Sequence, residues 1–502
     1  MDTMDAILPS IEHFVVVMFE NRSFDNMLGG LYPEKTQQGL YNGVTPGMYN
    51  KVEPYTPNLG VIKVWQDQTG LDAMIMPYPD PGELFKDMNT QIFAPNPVPK
   101  TGPGNPTMGG FVYNYNNQPV QSGGPVPQGG DIMQYYKPGR DGNLPIMTAL
   151  AQAYGVSDAW FASGPVQTLV NRIFAHSGQP STYTSNGQLY NCIDNTTVTG
   201  QAYDPLGNVY VPTVFEQLDK KFGTGQVNWK VYYNDFPLSA LINYVYEHWG
   251  PLQPNVCDYN SYFASDVQNN SLPRYSFIEP RYTNLAWDYR CQSAASYMPS
   301  SYHPGGACPG WDPNAPDTPP PVSVCFGEKF LADIYSSLAS NTELFRKTLL
   351  IVTFDEHGGL FDHEPPPAAV PPVKGVVNFD YSRYGVRVPA IFINPYIRPG
   401  SIFRSGGQYP FDHTSIISTL RQRFGLGGPL TDRDRWAPTF DGVINTPMLN
   451  HFSPANLPPV SCKIPPASAR GVTQPEAEDP NSIYSVILKG MKSAIEKGLM
   501  VP

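Results

Sequence analysis

Short apolar runs rich in β-branched and aromatic residues recur along the chain, and each is typical of a buried strand. The four runs are residues 13–19, 228–233, 349–354 and 388–394. Three further stretches place apolar residues at helical spacing: residues 144–154, 327–340 and 413–424. Strands that alternate with helices along a chain indicate an α/β protein with a mostly parallel sheet.

Two long stretches, at about residues 30–142 and 250–322, are rich in Pro, Gly, Asn and Tyr and follow neither period. Loops of this length in a compact protein are usually functional or disordered. Aromatic residues make up 13% of the chain, which argues against disorder. We therefore interpret both stretches as ordered insertions that roof one edge of the sheet, within one domain spanning residues 1–470.

The C-terminal segment, residues 471–502, is predicted to be a linker followed by a helix. Residues 481–500 carry apolar side chains at helical spacing, which predicts a helix docked on the domain. The alternative is a helix that lies on a membrane surface, because Lys489, Lys492 and Lys497 accompany the apolar stripe.

Composition and charge argue against one class of partner. The 502 residues are 41% hydrophobic, which is enough to bury a large core. The net charge is −11 and the chain has no basic run, so it lacks the electrostatic signature of a nucleic-acid-binding protein. Nucleic acid is therefore not an expected partner, and the sequence leaves the oligomeric state open.

The N-terminal 25 residues have two early acids, no basic segment and an apolar run too short to span a bilayer. We predict neither a signal peptide nor a transmembrane helix in this chain. That leaves a cytoplasmic location, or an exported or periplasmic one if the chain is trimmed or exported without a cleaved signal. The six cysteines form no C-x-x-C pair, which argues against structural zinc. Disulfides among the four from Cys257 to Cys325 would favour the exported location.

Polar residues follow two of the predicted strands directly. Glu20 and Asn21 come after the first strand, and Asp355 and Glu356 come after the third. Ligands of α/β sheets bind outside the carboxyl ends of the strands, so these side chains are candidates for a site. The alternatives are a helix cap at Asn21 and a solvated acidic turn at the two later acids.

The acids also indicate what the site binds. Two adjacent carboxylates at the end of a buried strand cost free energy unless a positive partner neutralises them, and a divalent cation is the simplest such partner. Oxygen ligands favour calcium, magnesium or manganese, and zinc or iron rank below them. We therefore expect one divalent metal ion at this edge of the sheet.

Thr168 is a candidate nucleophile for such a site. It precedes Asn171 and Arg172 at the start of a helix-like stretch. A metal ion would lower the pKa of its hydroxyl, and the helix N-terminus with Asn171 and Arg172 would favour a bound phosphate. The alternative is that Thr168 is an ordinary helix N-cap.

Four motifs, in this order, resemble those of a bacterial and plant phosphoesterase family. They are ENRSFD at 20–25, Thr168 to Arg172, DEHGG at 355–359 and FDHTS at 411–415. That family contains phosphatidylcholine-preferring phospholipases C and AcpA-type acid phosphatases, and its fold is similar to that of alkaline phosphatase. The resemblance covers roughly residues 11–440 and implies a three-layer α/β/α sandwich and a covalent phospho-enzyme.

The resemblance also implies roles for particular residues. The metal ligands would be Glu20, Asn21, Thr168, Asp355 and Glu356. Thr168 would in addition be the nucleophile, and His303 in Tyr302-His303-Pro304 would be the general acid. His413 would be a further catalytic histidine, with orientation of its turn as the alternative.

The chain departs from the family pattern at two positions. Val170 stands where the family commonly has Pro, which changes the backbone but removes no ligand. Glu83, in Asp80-Pro81-Gly82-Glu83, stands where many members have His. A carboxylate there would repel phosphate unless it were protonated or turned away, so we expect the substrate choice or the pH optimum to differ.

The predicted function is metal-dependent hydrolysis of phosphate esters through a phosphothreonine, of the phospholipase C type. Tyr113, Tyr115, Tyr232 and Tyr233 would form an aromatic wall for a quaternary ammonium group, unless they only pack the loops. One alternative is an acid phosphatase for small phosphomonoesters, and another is a catalytically silent module that binds a phosphate ligand. The expected partner is a phospholipid or a small phosphate ester, with transient membrane-surface contact in the first case.

Overall fold

The computed structural model describes residues 10–32, 41–72, 77, 79–119, 126–180, 182–185, 188–191, 206–207, 209–283, 299–304, 323–376, 378–450, 453, 455–462 and 483–500. Its strands are β1 (His13–Phe19), β2 (Tyr49–Lys51), β3 (Val61–Lys63), β4 (Trp65–Gln66), β5 (Gln134–Tyr135), β6 (Gly155–Ser157), β7 (Trp160–Phe161), β8 (Thr182–Ser185), β9 (Gln188–Asn191), β10 (Trp229–Tyr233), β11 (Val256–Asp258), β12 (Tyr275–Glu279), β13 (Thr348–Phe354), β14 (Ala390–Ile393), β15 (Ser401–Ile402) and β16 (Phe411–Asp412).

Eight of these strands form one sheet in the order β11-β10-β12-β1-β13-β14-β6-β15. Neighbouring strands are parallel except at β14, which runs antiparallel to β13 and β6. The central strand β1 carries three consecutive valines, and β-branched residues pack well on a pleated surface. Nearly all residues of β1 and β13 are buried, so helices must cover both faces of the sheet.

The helices are α1 (Phe24–Met27), α2 (Phe85–Phe93), α3 (Phe111–Asn116), α4 (Pro145–Ala153), α5 (Thr168–Ser177), α6 (Val214–Phe222), α7 (Asn243–Glu247), α8 (Tyr259–Gln268), α9 (Cys325–Ser340), α10 (Thr342–Arg346), α11 (Thr414–Phe424), α12 (Asp432–Trp436) and α13 (Ile483–Glu496). Helices α5, α6, α7, α11 and α12 pack on one another, and α4, α8, α9 and α10 form a separate group. With the sheet buried on both faces, this arrangement confirms a three-layer α/β/α sandwich with a mostly parallel sheet.

The four predicted strands and three predicted helices are all present, with ends shifted by at most two residues. The interpretation of residues 250–322 as an insertion is wrong in its first part. That part contains two strands of the central sheet, β11 and β12, and the helix α8. Strand β12 was missed because its five buried residues include Ser276 and Glu279, which break the apolar run.

The first long stretch does form a roof, but it is not free of secondary structure. The hairpin of β2 and β3, together with α2 and α3, packs on a small second core. This core includes Ile92, Phe93 and Phe111 from the roof, and Leu360 and Phe361 from the chain after β13. The roof therefore lies over the edge of the sheet where β13 ends.

Helix α13 is docked on the body of the protein, as the first interpretation predicted. Ile487 and Ala494 are fully buried in the main core, and the ring of Phe236 lies against Gly490. Because this apolar stripe is already covered, the membrane-surface alternative for the helix is wrong. The linker at 471–480 lies outside the described residues. No helix of the described ranges is both long and apolar enough to cross a membrane.

Candidate active site

The predicted site residues lie where β1 and β13 end. These strands are parallel neighbours, and Phe19 is paired with Phe354 in their register. Glu20 and Asp355 follow these last residues, which is why side chains far apart in sequence meet at one edge of the sheet. Glu20, Asp355 and Glu356 are all fully buried.

Asn21 connects three other side chains. Its backbone is left-handed (φ 57°), a conformation that Asn adopts more readily than most residues. Its Oδ1 accepts a hydrogen bond from the Thr168 hydroxyl at 3.0 Å. Its Nδ2 donates to His303 Nε2 at 2.9 Å and to the Glu83 carboxylate at 2.5 Å. One carboxamide therefore holds the predicted nucleophile and the predicted acid.

Thr168 is the first residue of α5, and the N-cap position belongs to Gln167, whose side chain makes no capping hydrogen bond. The alternative interpretation of Thr168 as the N-cap is therefore wrong. Its side chain is fully buried, and its hydroxyl is directed at Asn21 instead of at the helix backbone.

The turn after β13 depends on a close approach of two backbones. Gly358 has φ 61°, and a Cβ atom there would collide with the carbonyl of Asn21. Its N–H donates to Glu356 Oε2 at 2.6 Å. The Asp355 carboxylate accepts from the N–H of Asn21 at 3.0 Å and from that of Glu356 at 2.7 Å. Glycine is therefore required for the two strand ends to lock together.

Arg172 lies in the site and pairs with an acid. Its Nε is 3.0 Å from Asp355 Oδ2, and its Nη2 donates to the carbonyls of Met18 and Phe19. Its Nη1 is buried without a hydrogen-bond partner among the described residues. That nitrogen is the part of the guanidinium left without a hydrogen bond in the described ranges.

Asn171 has a different role from the predicted one. Its Nδ2 donates to the carbonyls of Val166 and Gly164, and its Oδ1 accepts from the N–H of Gly164. The carboxamide is therefore used within the loop that leads into α5. Asn171 shapes the backbone before Thr168, and the prediction that it contacts phosphate is corrected accordingly.

The two candidate histidines are both in the neutral form. Burial lowers the pKa of His303 to about 4, and its Nε2 accepts from Asn21 while its Nδ1 donates to the carbonyl of Pro304. Burial likewise lowers the pKa of His413 to about 4. His413 Nε2 donates to the carbonyl of Asp355 at 2.7 Å, and its Nδ1 accepts from Trp160 Nε1 at 3.3 Å. With both nitrogens engaged, His413 orients the turn, which was the alternative for this residue.

The buried acids leave room for a cation. Burial raises the pKa of Glu20 and of Glu356 well above the usual range, and it raises that of Asp355 against the nearby charge of Arg172. Both oxygens of Glu20 and Oε1 of Glu356 have no hydrogen-bond partner in the described part of the chain, although Ser301 lies beside Glu20. Buried, unpartnered, hard oxygen donors fit a divalent cation.

Two other groups of described residues bring three ligand atoms within 4.8 Å of one another: Asp25 with Asp362 and His363, and Asp80 with Glu83 and His303. In the ranges that the structure describes, the predicted ligands Glu20, Asp355 and Glu356 do not bring three ligand atoms this close together. The first of the two groups is already neutralised, because Arg387 contacts both of its aspartates at 2.9 and 3.0 Å.

Asp80 and Glu83 are site residues that the sequence did not assign. Glu83 is 3.8 Å from His303 Nε2, and Asp80 is 4.0 Å from Nδ1 of the same ring. The charge of Glu83 also contributes to the raised pKa of Glu356. The departure at Glu83 from the family's usual His was the available signal, and the structure puts that carboxylate inside the site.

Two of the four tyrosines predicted to form an aromatic wall are buried in separate cores. Tyr232 lies on β10 and is buried in the main core, where its hydroxyl donates to Asp266. Tyr115 is buried in the second core and donates to the carbonyl of Pro79. Tyr115 and Tyr232 therefore pack the protein, which was the alternative interpretation, whereas Tyr113 and Tyr233 are half-buried.

Comparison with known proteins identifies the family of this chain. The model of the Phosphoesterase family matches residues 11–427. The chain is 32% identical to non-specific phospholipase C3 of Arabidopsis thaliana, over 93% of this chain and 79% of the relative. It is 28% identical to phospholipase C A of Mycobacterium tuberculosis strain H37Rv, over 89% of this chain and 79% of the relative.

Among solved structures, the chain is similar to a protein of the alkaline phosphatase superfamily from Vibrio parahaemolyticus. The identity is 13%, the TM-score is 0.32, and the match covers 72% of this chain and 83% of the other. A likeness this distant carries no argument about the site. The family model, by contrast, covers most of the chain, including every residue of the candidate site. The chain belongs to the Phosphoesterase family and is a hydrolase that acts on phosphoric ester bonds.

Proposed function

We propose that this protein is a metal-dependent phospholipase C that cleaves phosphatidylcholine to diacylglycerol and phosphocholine through a phosphothreonine at Thr168. The observation that carries this proposal is the Asn21 carboxamide, which is hydrogen-bonded to Thr168 at one end and to His303 at the other, beside three buried acids. The similarity to non-specific phospholipases C over most of the chain supports the same substrate class.

The metal ion would be held by Glu20, Asn21, Thr168, Asp355 and Glu356. The family implies a metal, and the unpartnered carboxylate oxygens of Glu20 and Glu356 supply hard donors for calcium, magnesium or manganese. When bound, the ion would lower the pKa of the Thr168 hydroxyl and offset the negative charge of the phosphate.

The chain's own side chains suit an in-line displacement. Thr168 Oγ forms a bond to phosphorus as the bond from phosphorus to the glycerol oxygen breaks, and Arg172 Nη1 faces the phosphate charge. The Thr168 proton is released to solvent, and His303, once it has taken up a proton from solvent, passes that proton to the departing oxygen as the general acid. Water then hydrolyses the phosphothreonine, which releases phosphocholine and restores Thr168.

Asp80 and Glu83 favour a phosphodiester with a cationic headgroup over a phosphomonoester. Both carboxylates are close to His303, and their side chains are 23% and 10% exposed. A dianionic monoester brings more negative charge to these acids than a choline diester does, and the choline ammonium is attracted to them. The acid phosphatase alternative is thereby disfavoured.

The substrate assignment is tested by comparing hydrolysis of phosphatidylcholine with that of p-nitrophenyl phosphate, each with and without EDTA. We expect phosphocholine release that EDTA abolishes, and little cleavage of the monoester. The reverse preference would indicate an acid phosphatase. The absence of metal-dependent turnover of either substrate would indicate a binding module.

Metal binding has a test that does not depend on activity. In EDTA, Glu20→Gln should be more stable to urea than the wild type, because the buried Glu20 has a raised pKa in the folded state. The stability of the wild type without metal therefore falls as the pH rises above 4.5, the ordinary pKa of Glu. Glu20→Gln has no carboxyl group at this position and should not show that loss.

With the metal added at a hundredfold excess over Kd, the free energy of unfolding of the wild type should rise by about 2.7 kcal/mol. The wild type should then be more stable than Glu20→Gln. The control is Glu343→Gln, at a side chain that is 77% exposed, which should follow the wild type under both conditions. Equal stabilisation of Glu20→Gln and the wild type by calcium, magnesium and manganese would remove Glu20 from the ligand set.

We also propose that the protein works in an oxidising compartment. A disulfide joins Cys325 to Cys462, whereas Cys257 is a free, buried thiol. Structural disulfides persist in oxidising surroundings and are rare in reducing ones. The other three cysteines, Cys192, Cys291 and Cys308, lie outside the described residues.

A further inference from the structure

The hairpin of β2 and β3 has one buried face and one exposed face. Asn50 and Ile62 are paired across the hairpin and face the second core. The N–H of Val112 and the carbonyl of Met108 are hydrogen-bonded to the Asn50 side chain, which fixes the hairpin to the start of α3. The hairpin is therefore a rigid part of the roof.

The exposed face mixes aromatic, aliphatic and basic side chains. Tyr49 pairs with Lys63, and Lys51 pairs with Val61, so apolar and basic residues alternate across the two strands. The exposed fractions are 54% for Tyr49 and 48% for Val61. Further exposed apolar residues lie in the turn at Tyr55 and Leu59, which are 55% and 58% exposed, and after β3 at Trp65, at 39%. We call these seven residues the hairpin face. The Tyr55 ring is in edge contact with Tyr113 of α3.

The charge of the hairpin face is opposite to that of the protein as a whole. The chain has a net charge of −11, whereas the hairpin face carries two lysines. One acid, Glu53, lies in the turn, where its carboxylate accepts from the N–H of Tyr55 at 3.0 Å, so the hairpin as a whole stays positive. Tyrosine and tryptophan are enriched at membrane–water interfaces, and lysine combines an apolar stem with a charge that is attracted to lipid phosphate. This composition fits the headgroup region of a bilayer.

The position of the hairpin face relative to the site is also suitable. The second core, on which the hairpin packs, includes Phe111 and Phe361. The ring of Phe111 is in edge contact with His357, which follows the candidate ligand Glu356. The hairpin is thus joined through the second core to the turn after β13, which carries Glu356.

We propose that the hairpin face is the surface by which this protein docks on a phospholipid bilayer. The proposal rests on the phospholipase C function, because a phosphatidylcholine substrate must be taken from a membrane. Helix α13, the other candidate for membrane contact, has its apolar stripe buried in the main core. On the hairpin face, the tyrosines and Leu59 would enter the headgroup layer and the lysines would lie near the lipid phosphates.

The test is sedimentation of the full-length protein with phosphatidylcholine vesicles in EDTA, which prevents turnover. Tyr55→Ser/Leu59→Ser should weaken vesicle binding by about tenfold or more, because binding strength scales with the apolar area that enters the interface. The matched control is Tyr262→Ser/Leu252→Ser, which removes the same two residue types at sites that are 51% and 96% exposed and outside the hairpin face. It should bind vesicles like the wild type.

Substitution of the lysines gives a second, independent test. With vesicles of phosphatidylcholine and phosphatidylserine, Lys51→Gln and Lys63→Gln should each weaken binding by about fivefold, which corresponds to about 1 kcal/mol per lysine at an anionic surface. The loss should shrink as salt is added. An equal loss in the tyrosine–leucine control, or no loss in any hairpin variant, would overturn the proposal. So would dissociation of an oligomer in the hairpin variants, since the face would then bind a second copy.

Failure of this proposal is distinguishable from failure of the proposed function. Turnover of a short-chain, water-soluble phosphatidylcholine reports on the site alone, and the hairpin variants should leave its kcat/KM within about twofold. If the soluble lipid is not hydrolysed, the proposed function fails whatever the vesicles show. If it is hydrolysed while vesicle binding is unaffected by the variants, only the docking surface is wrong.

Discussion

Replacing Thr168 by alanine is expected to lower turnover by about 10⁴-fold or more, because losses of this size follow removal of a nucleophile. The hydroxyl is buried and is hydrogen-bonded to Asn21 at 3.0 Å, so it is held in place for the attack. The measurement is phosphocholine release under saturating substrate. Acid-quenched intact-mass spectrometry of the wild type should show a phosphocholine adduct that the variant lacks.

Two controls separate chemistry from folding. Thr168→Ser keeps a hydroxyl at the same position and should retain much of the activity and the adduct. Thr148→Ala removes another buried helical threonine, in α4, and should leave turnover unchanged. Substantial activity in Thr168→Ala, or an adduct that survives in it, would show that a different residue attacks phosphorus.

Replacing Arg387 by methionine should lower the free energy of unfolding by about 3–5 kcal/mol, the usual cost of leaving buried charges unpaired. The Arg387 guanidinium is fully buried and contacts Asp25 at 3.0 Å and Asp362 at 2.9 Å. It also donates to the carbonyls of Asn42 and Asp158, so one side chain joins four segments. Urea unfolding measures the loss.

The pH dependence identifies the cause of that loss. Burial raises the pKa of Asp362 to about 6 from 3.8, even though Arg387 opposes the shift. A raised folded-state pKa costs stability as the pH rises, and without Arg387 that pKa rises further. The difference in free energy of unfolding between the wild type and Arg387→Met should therefore increase above pH 6.

The control is Arg435→Met, at a surface arginine that is 55% exposed. It should lower the free energy of unfolding by under about 1 kcal/mol, with no increase above pH 6. A pH-independent loss in Arg387→Met would mean that lost packing, and not charge, is responsible.

The elements that the sequence predicted best are those whose pattern is local. Strand β1 is a continuous apolar run with consecutive valines, and α11 has its apolar positions at helical spacing, so both were found within two residues of their bounds. Strands β11 and β12 were missed because polar residues interrupt them. Their burial comes from neighbouring strands and helices that the local sequence does not specify.

The sequence by itself determined which residue types stand at the ends of β1 and β13, and hence the family, the hydrolytic class and a proposed set of oxygen ligands. The tertiary structure decided how those side chains are used. The parallel register of the two strands brings Glu20 beside Asp355, and the left-handed backbone of Asn21 aims its carboxamide at Thr168 and His303. These are contacts across hundreds of residues, and their geometry depends on packing, which a local pattern cannot encode.

The same reason explains the corrected roles. Asn171 and His413 have the residue types of a phosphate ligand and a catalytic histidine, but in the folded protein their polar atoms bind the loop before α5 and the carbonyl of Asp355. Glu83 was visible only as a departure from the family, and the fold alone placed its carboxylate 3.8 Å from His303. Which hydrogen-bond partner a polar side chain finds is set by the whole chain, whereas the sequence sets only what it is able to bind.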